Sequence, residues 1–172
     1  MERNRQYRMP EEFRQQRQLW EKQHARRGES SIEGTVLRFI PNDAAVILNK
    51  HLPPHATILE MGTANGRDAR YWATQEHNVI ALDFSITALK QLRTIATEQQ
   101  VTENIHPIGW DIATGSLPIS KPSIIDAFYA RSALHVNDTT MMQLAEQIDY
   151  VLKPGGFVLI EGKTLQDKKI NR

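Results

Sequence analysis

Cysteine is absent from the 172 residues, which excludes disulfides, thiolate metal sites and a cysteine nucleophile. Long apolar runs are also absent. No stretch reaches the length of a membrane span, and the charged start Met1-Glu2-Arg3-Asn4-Arg5 is followed by no apolar segment, so the expectation is a soluble, cytoplasmic protein without a membrane role. Aromatic residues make up 7% of the chain, with no basic stripe interleaved by aromatics such as single-strand nucleic-acid readers carry. A nucleic-acid partner is therefore not expected. Net charge is close to nil, Lys+Arg 21 against Asp+Glu 20, although residues 1–27 hold eight basic side chains and four acids. That basic start either steers an anionic substrate or nucleic acid, or is simply a solvated helix face.

Two phosphate signatures are missing. No Gly-Lys-Ser/Thr ends a glycine-rich loop, which excludes a P-loop. Nor is there Gly-x-Gly-x-x-Gly: the loop reads Gly62-Thr63-Ala64-Asn65-Gly66, and Arg67 falls where a third glycine would receive a pyrophosphate, so NAD is disfavoured. The histidines His24, His51, His55, His77 and His106 lack metal-ligand spacing, and no metal is implied.

What is present is an alternation of short apolar runs and helical patterns. At this length one domain can bury roughly 70% of its unfolded surface. The pattern predicts strands at 56–61, 77–82, 104–110, 123–130 and 156–161, and helices at 66–75, 85–100 and 138–152. Alternation of this kind predicts an α/β domain, a doubly wound, mostly parallel sheet covered on both faces. Ser85 is a good cap for one helix and Asn137 or Asp138 for another.

Before the sheet, Pro10 suits a first helical turn, and Phe13, Leu19 and Trp20 give residues 10–26 a weak apolar stripe ending before Gly28. Asn42 or Asp43 can cap a second helix that stops before Pro53-Pro54. The division read from this is a helical arm and lid over 1–53 and a ligand-binding α/β domain over 54–172.

The densest chemistry lies in Ile58-Leu59-Glu60-Met61-Gly62-Thr63-Ala64-Asn65-Gly66-Arg67-Asp68. An apolar run ends in an acid, then a loop of small residues lets backbone pass close to a ligand. Asp83 closes the next apolar run, where an acid can hydrogen-bond both ribose hydroxyls of a nucleoside. The bland alternative for Glu60 and Asp83 is that strand-end acids merely face the amino termini of the following helices. If position 64 needs positive φ, alanine there costs on the order of 1 kcal/mol.

Glu60-x-Gly62-x-Ala64-x-Gly66 resembles the first motif of class I S-adenosylmethionine-dependent methyltransferases. Four further segments fall in order: Asp83, Gly109-Trp110-Asp111-Ile112, Tyr129-Ala130-Arg131-Ser132-Ala133-Leu134-His135, and Leu152-Lys153-Pro154-Gly155-Gly156. The resemblance covers about residues 55–162. The arm segment Leu19-Trp20-Glu21-Lys22-Gln23-His24 is similar to one in thiopurine- and tellurite-type members. What the resemblance implies is an enzyme of the Rossmann-like methyltransferase fold, with S-adenosylmethionine as cofactor and a small-molecule acceptor.

By that resemblance Gly62, Thr63, Ala64 and Gly66 form the cofactor loop, Glu60 supports it, Asp83 with Phe84 holds the ribose end, and Asp111 with Ile112 frames the adenine. Arg131 would lie near the cofactor carboxylate or an anionic substrate. Asp111 can equally cap a turn before Thr114-Gly115, and Trp110 reads better as core. His135 is the candidate general base, just past the fourth strand, although isolated histidines are usually structural. The Asp/Asn-Pro-Pro-Tyr/Phe segment of enzymes that methylate nucleobase amines is replaced by Ala130-Arg131-Ser132-Ala133, which favours a small acceptor.

Family members continue past the fifth strand with a helix and an antiparallel hairpin, whereas here only Lys163-Thr164-Leu165-Gln166-Asp167-Lys168-Lys169-Ile170 and two further residues remain. The expectation is an open sheet edge that invites a homo-oligomer. The same shortness keeps a second reading in view, a non-catalytic or truncated cofactor-binding module serving a partner. A nicotinamide-linked oxidoreductase is the third.

Overall fold

The computed structural model describes residues 11, 14–15, 17–26, 40–114, 116–134 and 138–162. Helical backbone runs through residues 17–26 (α1), and the order then is α2 (Asp43–Asn49), β1 (Thr57–Met61), α3 (Arg67–Thr74), β2 (Asn78–Asp83), α4 (Ile86–Glu98), β3 (Ile105–Gly109), β4 (Ile125–Arg131), α5 (Asp138–Val151) and β5 (Leu152–Glu161). The five strands pair in parallel in the order β3-β2-β1-β4-β5. This is the doubly wound α/β sheet read from the sequence. The direction in which successive strands are added reverses between β1 and β4, and ligands of open α/β sheets bind outside the strand carboxyl ends at such a switch point.

Helices on both faces explain why β1 and β4 read as apolar runs rather than alternations. On one face α2, α3 and α4 supply Ala45, Leu48, Ala69, Trp72, Leu89 and Leu92 to a core shared with Ile58, Val79 and Tyr129. The other face packs Leu59, Leu82 and Phe128 against Leu144, Ile148 and Val151 of α5. Trp72 is fully buried, donates Nε1 to the Ala45 carbonyl (3.3 Å), and meets the Tyr129 ring edge-on at 4.9 Å. Thus α2, which the sequence reading groups with the arm, supplies part of the core.

Two local expectations change. Asn42 stands at the N-cap of α2, yet its side chain makes no capping bond and donates instead to Asp68 of α3. The segment Leu152-Lys153-Pro154-Gly155-Gly156 belongs to β5 instead of turning into it: Ile125 pairs with Leu152 and Ala127 with Phe157, so the three residues Pro154, Gly155 and Gly156 bulge from the ladder. Proline is tolerated there because β5 is an edge among the described strands. Ser85 caps α4 as expected, accepting from the Ala88 amide at 3.1 Å.

Pro10, Phe13, Asn137, His135 and the tail 163–172 lie outside the described residues, so the cap proposed at Asn137 and the base proposed at His135 do too. No helix among the described residues is long and apolar enough to cross a membrane, and none of their His, Asp or Glu side chains gather in threes around a metal position.

Candidate functional site

The carboxyl ends of β1 and β2 stand side by side, with Met61 in register with Leu82. Chain leaving β1 at Gly62 must turn sharply beneath the tip of β2, and it does so through left-handed backbone: φ is 75° at Gly62, 51° at Ala64 and 75° at Gly66. The first and last tolerate no side chain. A Cβ on Gly62 would stand 2.5 Å from the Ala133 Cβ, and one on Gly66 would run into Leu92. Ala64 holds a left-handed conformation that costs an L-residue about 1 kcal/mol. Backbone bonds lock the loop: the Gly62 and Thr63 amides donate to the Leu82 carbonyl (2.8 and 3.0 Å), and the Gly66 amide to the Thr63 carbonyl (2.8 Å).

Each strand-tip acid then braces this loop. Glu60 is 4% exposed and its Oε2 accepts from the Thr63 hydroxyl at 2.6 Å. Asp83 is 7% exposed, with Oδ2 accepting from the Ala64 amide and Oδ1 from the Ser85 amide, both at 2.8 Å. Burial pushes the Glu60 carboxyl up to about 8, with the Asp68 carboxylate adding to the rise, so Glu60 carries a proton at neutral pH. Burial also raises Asp83, against the pull of its two amide donors.

The cradle fits a nucleoside. Each Asp83 oxygen uses one of its two acceptor positions on a backbone amide and keeps one for a hydroxyl donor. Half-buried Phe84 follows directly. Asp111 lies just past the tip of β3, where Gly109 is in register with Asp83. Its Oδ1 accepts from the Ala113 amide at 3.0 Å, so it does brace the turn before Thr114, and its Oδ2 accepts from Arg17 at 3.3 Å. Ile112 and Trp110 pack against the core on the α5 side, and the Trp110 Nε1 donates to the Ser116 carbonyl.

Glu60, Gly62, Thr63, Ala64, Gly66, Asp83 and Phe84 are thus gathered at two neighbouring strand tips, with Asp111 and Ile112 at the third. Arg131 differs. It ends β4 and is ion-paired at 2.9 Å with Glu161, its register partner on β5.

Sequence reading passed over Asp68. This 5%-exposed acid in the first turn of α3 accepts from the Asn42 amide (2.8 Å) and the Tyr129 hydroxyl (3.1 Å), tying α2 and β4 to the helix that starts at the loop. Burial and the two neighbouring carboxylates push the Tyr129 hydroxyl up. An acid one turn into a helix is a detectable signal. The arm residue Arg17 was also passed over, and no local pattern marks it; Glu21 figures there only within the segment Leu19-Trp20-Glu21-Lys22-Gln23-His24, with no role of its own.

A family model described as a methyltransferase domain matches residues 58–156, more than half of the chain. Phosphoethanolamine N-methyltransferase 1 of Triticum aestivum is 32% identical over 111 residues, which are 63% of this chain and 22% of that protein. Among solved structures, a candidate S-adenosyl-L-methionine-dependent methyltransferase from Methanococcus maripaludis has TM-score 0.64 at 21% identity, covering 83% of this chain and 63% of that one. Geranyl diphosphate C-methyltransferase of Streptomyces coelicolor, solved with Mg2+, geranyl diphosphate and S-adenosyl-L-homocysteine, has TM-score 0.58 at 16% identity, covering 67% of this chain and 44% of that one. The chain therefore spans under two thirds of the length of each of these. With the loop, the two strand-tip acids and the family match taken together, the chain belongs to the methyltransferase-domain family, whose cofactor is S-adenosylmethionine.

Proposed function

We propose that this chain transfers a methyl group from S-adenosylmethionine to a small-molecule acceptor by in-line displacement. The observation that carries this reading is the pair of buried acids at adjacent strand tips, Glu60 and Asp83, bracing one left-handed loop from two sides. When bound, the cofactor supplies an electrophilic methyl group on a sulfonium. Everything else falls to the chain's own residues.

Asp83 accepts from the ribose hydroxyls, and Phe84 and Asp111 border the base. Gly62 and Ala64 let the backbone run against the ligand without a large side chain between them. Glu60 keeps that backbone in place through Thr63. A displacement of this kind needs little covalent assistance, so holding the reacting atoms about 3 Å apart and in line supplies most of the acceleration. The arm α1 docks beside the same strand tips and excludes water from them.

Calorimetric titration with S-adenosylmethionine and S-adenosylhomocysteine tests the cofactor site. Wild type binds both, and Asp83→Ala loses binding by at least tenfold, since two charged hydrogen bonds of roughly 1.5 kcal/mol or more are removed. Equal binding by the two proteins, or none by wild type, removes the reading. Release of S-adenosylhomocysteine on addition of an acceptor separates an enzyme from a binding module. Phosphoethanolamine, the acceptor named for the wheat relative, is the first to assay.

A further inference from the structure

The arm touches the domain through polar contacts that converge on one place. Glu21 accepts from the Ser85 hydroxyl (2.7 Å) and the Ile86 amide (3.1 Å), Gln91 donates to the His24 carbonyl (3.0 Å), and Arg17 donates to Asp111 (3.3 Å). All lie at the carboxyl ends of β2 and β3 or on α4, which begins there. Leu19 remains 54% exposed while Trp20 is partly buried, so these polar contacts are a main part of the docking among the described residues. Glu21 caps the amino terminus of α4, a position that favours an acid. Burial raises its pKa, but hydrogen bonds from Ser85, Thr87 and Ile86 outweigh that and hold it below the usual carboxylate value.

Arg17 bridges two side chains of the domain. Its guanidinium carbon stands 5.7 Å from the Phe84 ring centroid while its Nη1 meets Asp111. Phe84 and Asp111 are the two side chains that border the base in the proposed site. A guanidinium is planar, stacks on π faces and donates to a carboxylate at the same time, which a lysine ammonium cannot reproduce.

We infer that Arg17 is a positioning residue for the base of the nucleoside cofactor, closing the slot between Phe84 and Asp111 from the arm side and holding the Asp111 carboxylate toward the base edge. This rests on the cofactor reading above. The Arg17 side chain is 45% exposed and that of Asp111 15%, and such a pair adds about 0–1 kcal/mol to folding. Its contribution is to ligand affinity. A contact this weak opens readily to admit a nucleoside, and it strengthens once a flat base displaces water from its surroundings.

The test is titration of S-adenosylhomocysteine and of its deaminated analogue, S-inosylhomocysteine, into wild type, Arg17→Ala, Arg17→Lys and Glu21→Gln, together with melting curves of the ligand-free proteins. Arg17→Ala is expected to weaken S-adenosylhomocysteine about tenfold, for one cation–π contact and one charged hydrogen bond. Its ligand-free Tm should stay at the wild-type value, and its preference for the adenine form over the deaminated form should narrow. Arg17→Lys restores part of the affinity, and Glu21→Gln loses affinity without changing that preference. Unchanged or tighter binding by Arg17→Ala, with wild type binding normally, overturns the inference and leaves the cofactor site standing. No binding by wild type overturns both.

Discussion

Glu60→Gln should flatten the pH dependence of stability. In the folded protein Glu60 is 4% exposed, and burial with a neighbouring Asp68 carboxylate pushes it from an ordinary 4.5 up to about 8. Folded protein therefore holds a proton that unfolded chain has released. Stability from this group is complete below pH 4.5, falls by about 1.4 kcal/mol per pH unit, and is spent by about pH 8. Across that window the loss approaches 5 kcal/mol, as large as the whole stability of a marginal domain. Glutamine keeps the shape and an oxygen acceptor for the Thr63 hydroxyl, and it cannot ionise. Urea unfolding of both proteins at half-unit steps from pH 5.5 to 9 reads the effect as a difference, in which the titrations of Asp83 and His77 are common and largely cancel. The variant should gain on wild type steadily up to about pH 8 and hold level above it. A gap that stays constant over the whole range refutes the argument that Glu60 is a buried, protonated acid.

Ala64→Gly relieves left-handed backbone worth about 1 kcal/mol, partly offset by the extra entropy of glycine in the unfolded chain, so a gain of a few tenths of a kcal/mol in stability is expected. Cofactor affinity should rise with it, and weaker binding in a titration would show that the methyl group packs on the ligand. β5, the edge among the described strands, leaves Val158 and Ile160 each 50% exposed, and they line an apolar groove of about 190 Å³ with Leu134, Leu144, Ile148 and Leu152. Sedimentation at rising protein concentration should show self-association that Val158→Lys suppresses, as charge on an exposed edge does. A wild-type protein that stays monomeric at high concentration contradicts it.

The parts of the site visible in the sequence are those whose chemistry is local. Glu60 and Asp83 end apolar runs, Gly62 and Gly66 sit where backbone must turn left-handed, and Ser85 caps the helix it begins. Each can be read within a few residues. Asp68 has a local signal as an acid in a first helical turn, but the ties it makes could not be read, because its partners Asn42 and Tyr129 are 26 and 61 residues away. The arm contacts span 64 to 94 residues and carry no periodicity. The start of β5 was misread for the opposite reason: Pro154, Gly155 and Gly156 are strong local breakers, yet pairing with β4 on either side of them holds the strand through a bulge. Tertiary context overrode propensity there.

Two buried acids, Asp68 and Asp83, together with Glu60, which keeps its proton until about pH 8, surround a loop whose central residue is strained, and the hydrogen bonds they accept come from amides and hydroxyls. Arg67 reaches Asp68 only at 3.7 Å and is half exposed, and the buried guanidinium of Arg70 interacts with Asp68 and Glu60. A fold selected for stability alone would place apolar side chains at such positions, since burying a charged group costs several kcal/mol that a nearby cation only partly offsets. The arrangement is coherent if a further positive charge arrives with the ligand. S-adenosylmethionine carries it on both its sulfonium and its ammonium, whereas S-adenosylhomocysteine lacks the sulfonium. A loop built in this way would carry a stability deficit that ligand binding offsets, which is how strain and desolvated charge come to be concentrated at functional sites. Saturating S-adenosylmethionine should accordingly raise the Tm more at pH 8.5, where Glu60 has lost its proton, than at pH 6.5. Equal rises at the two pH values would detach the acids from the ligand's charge.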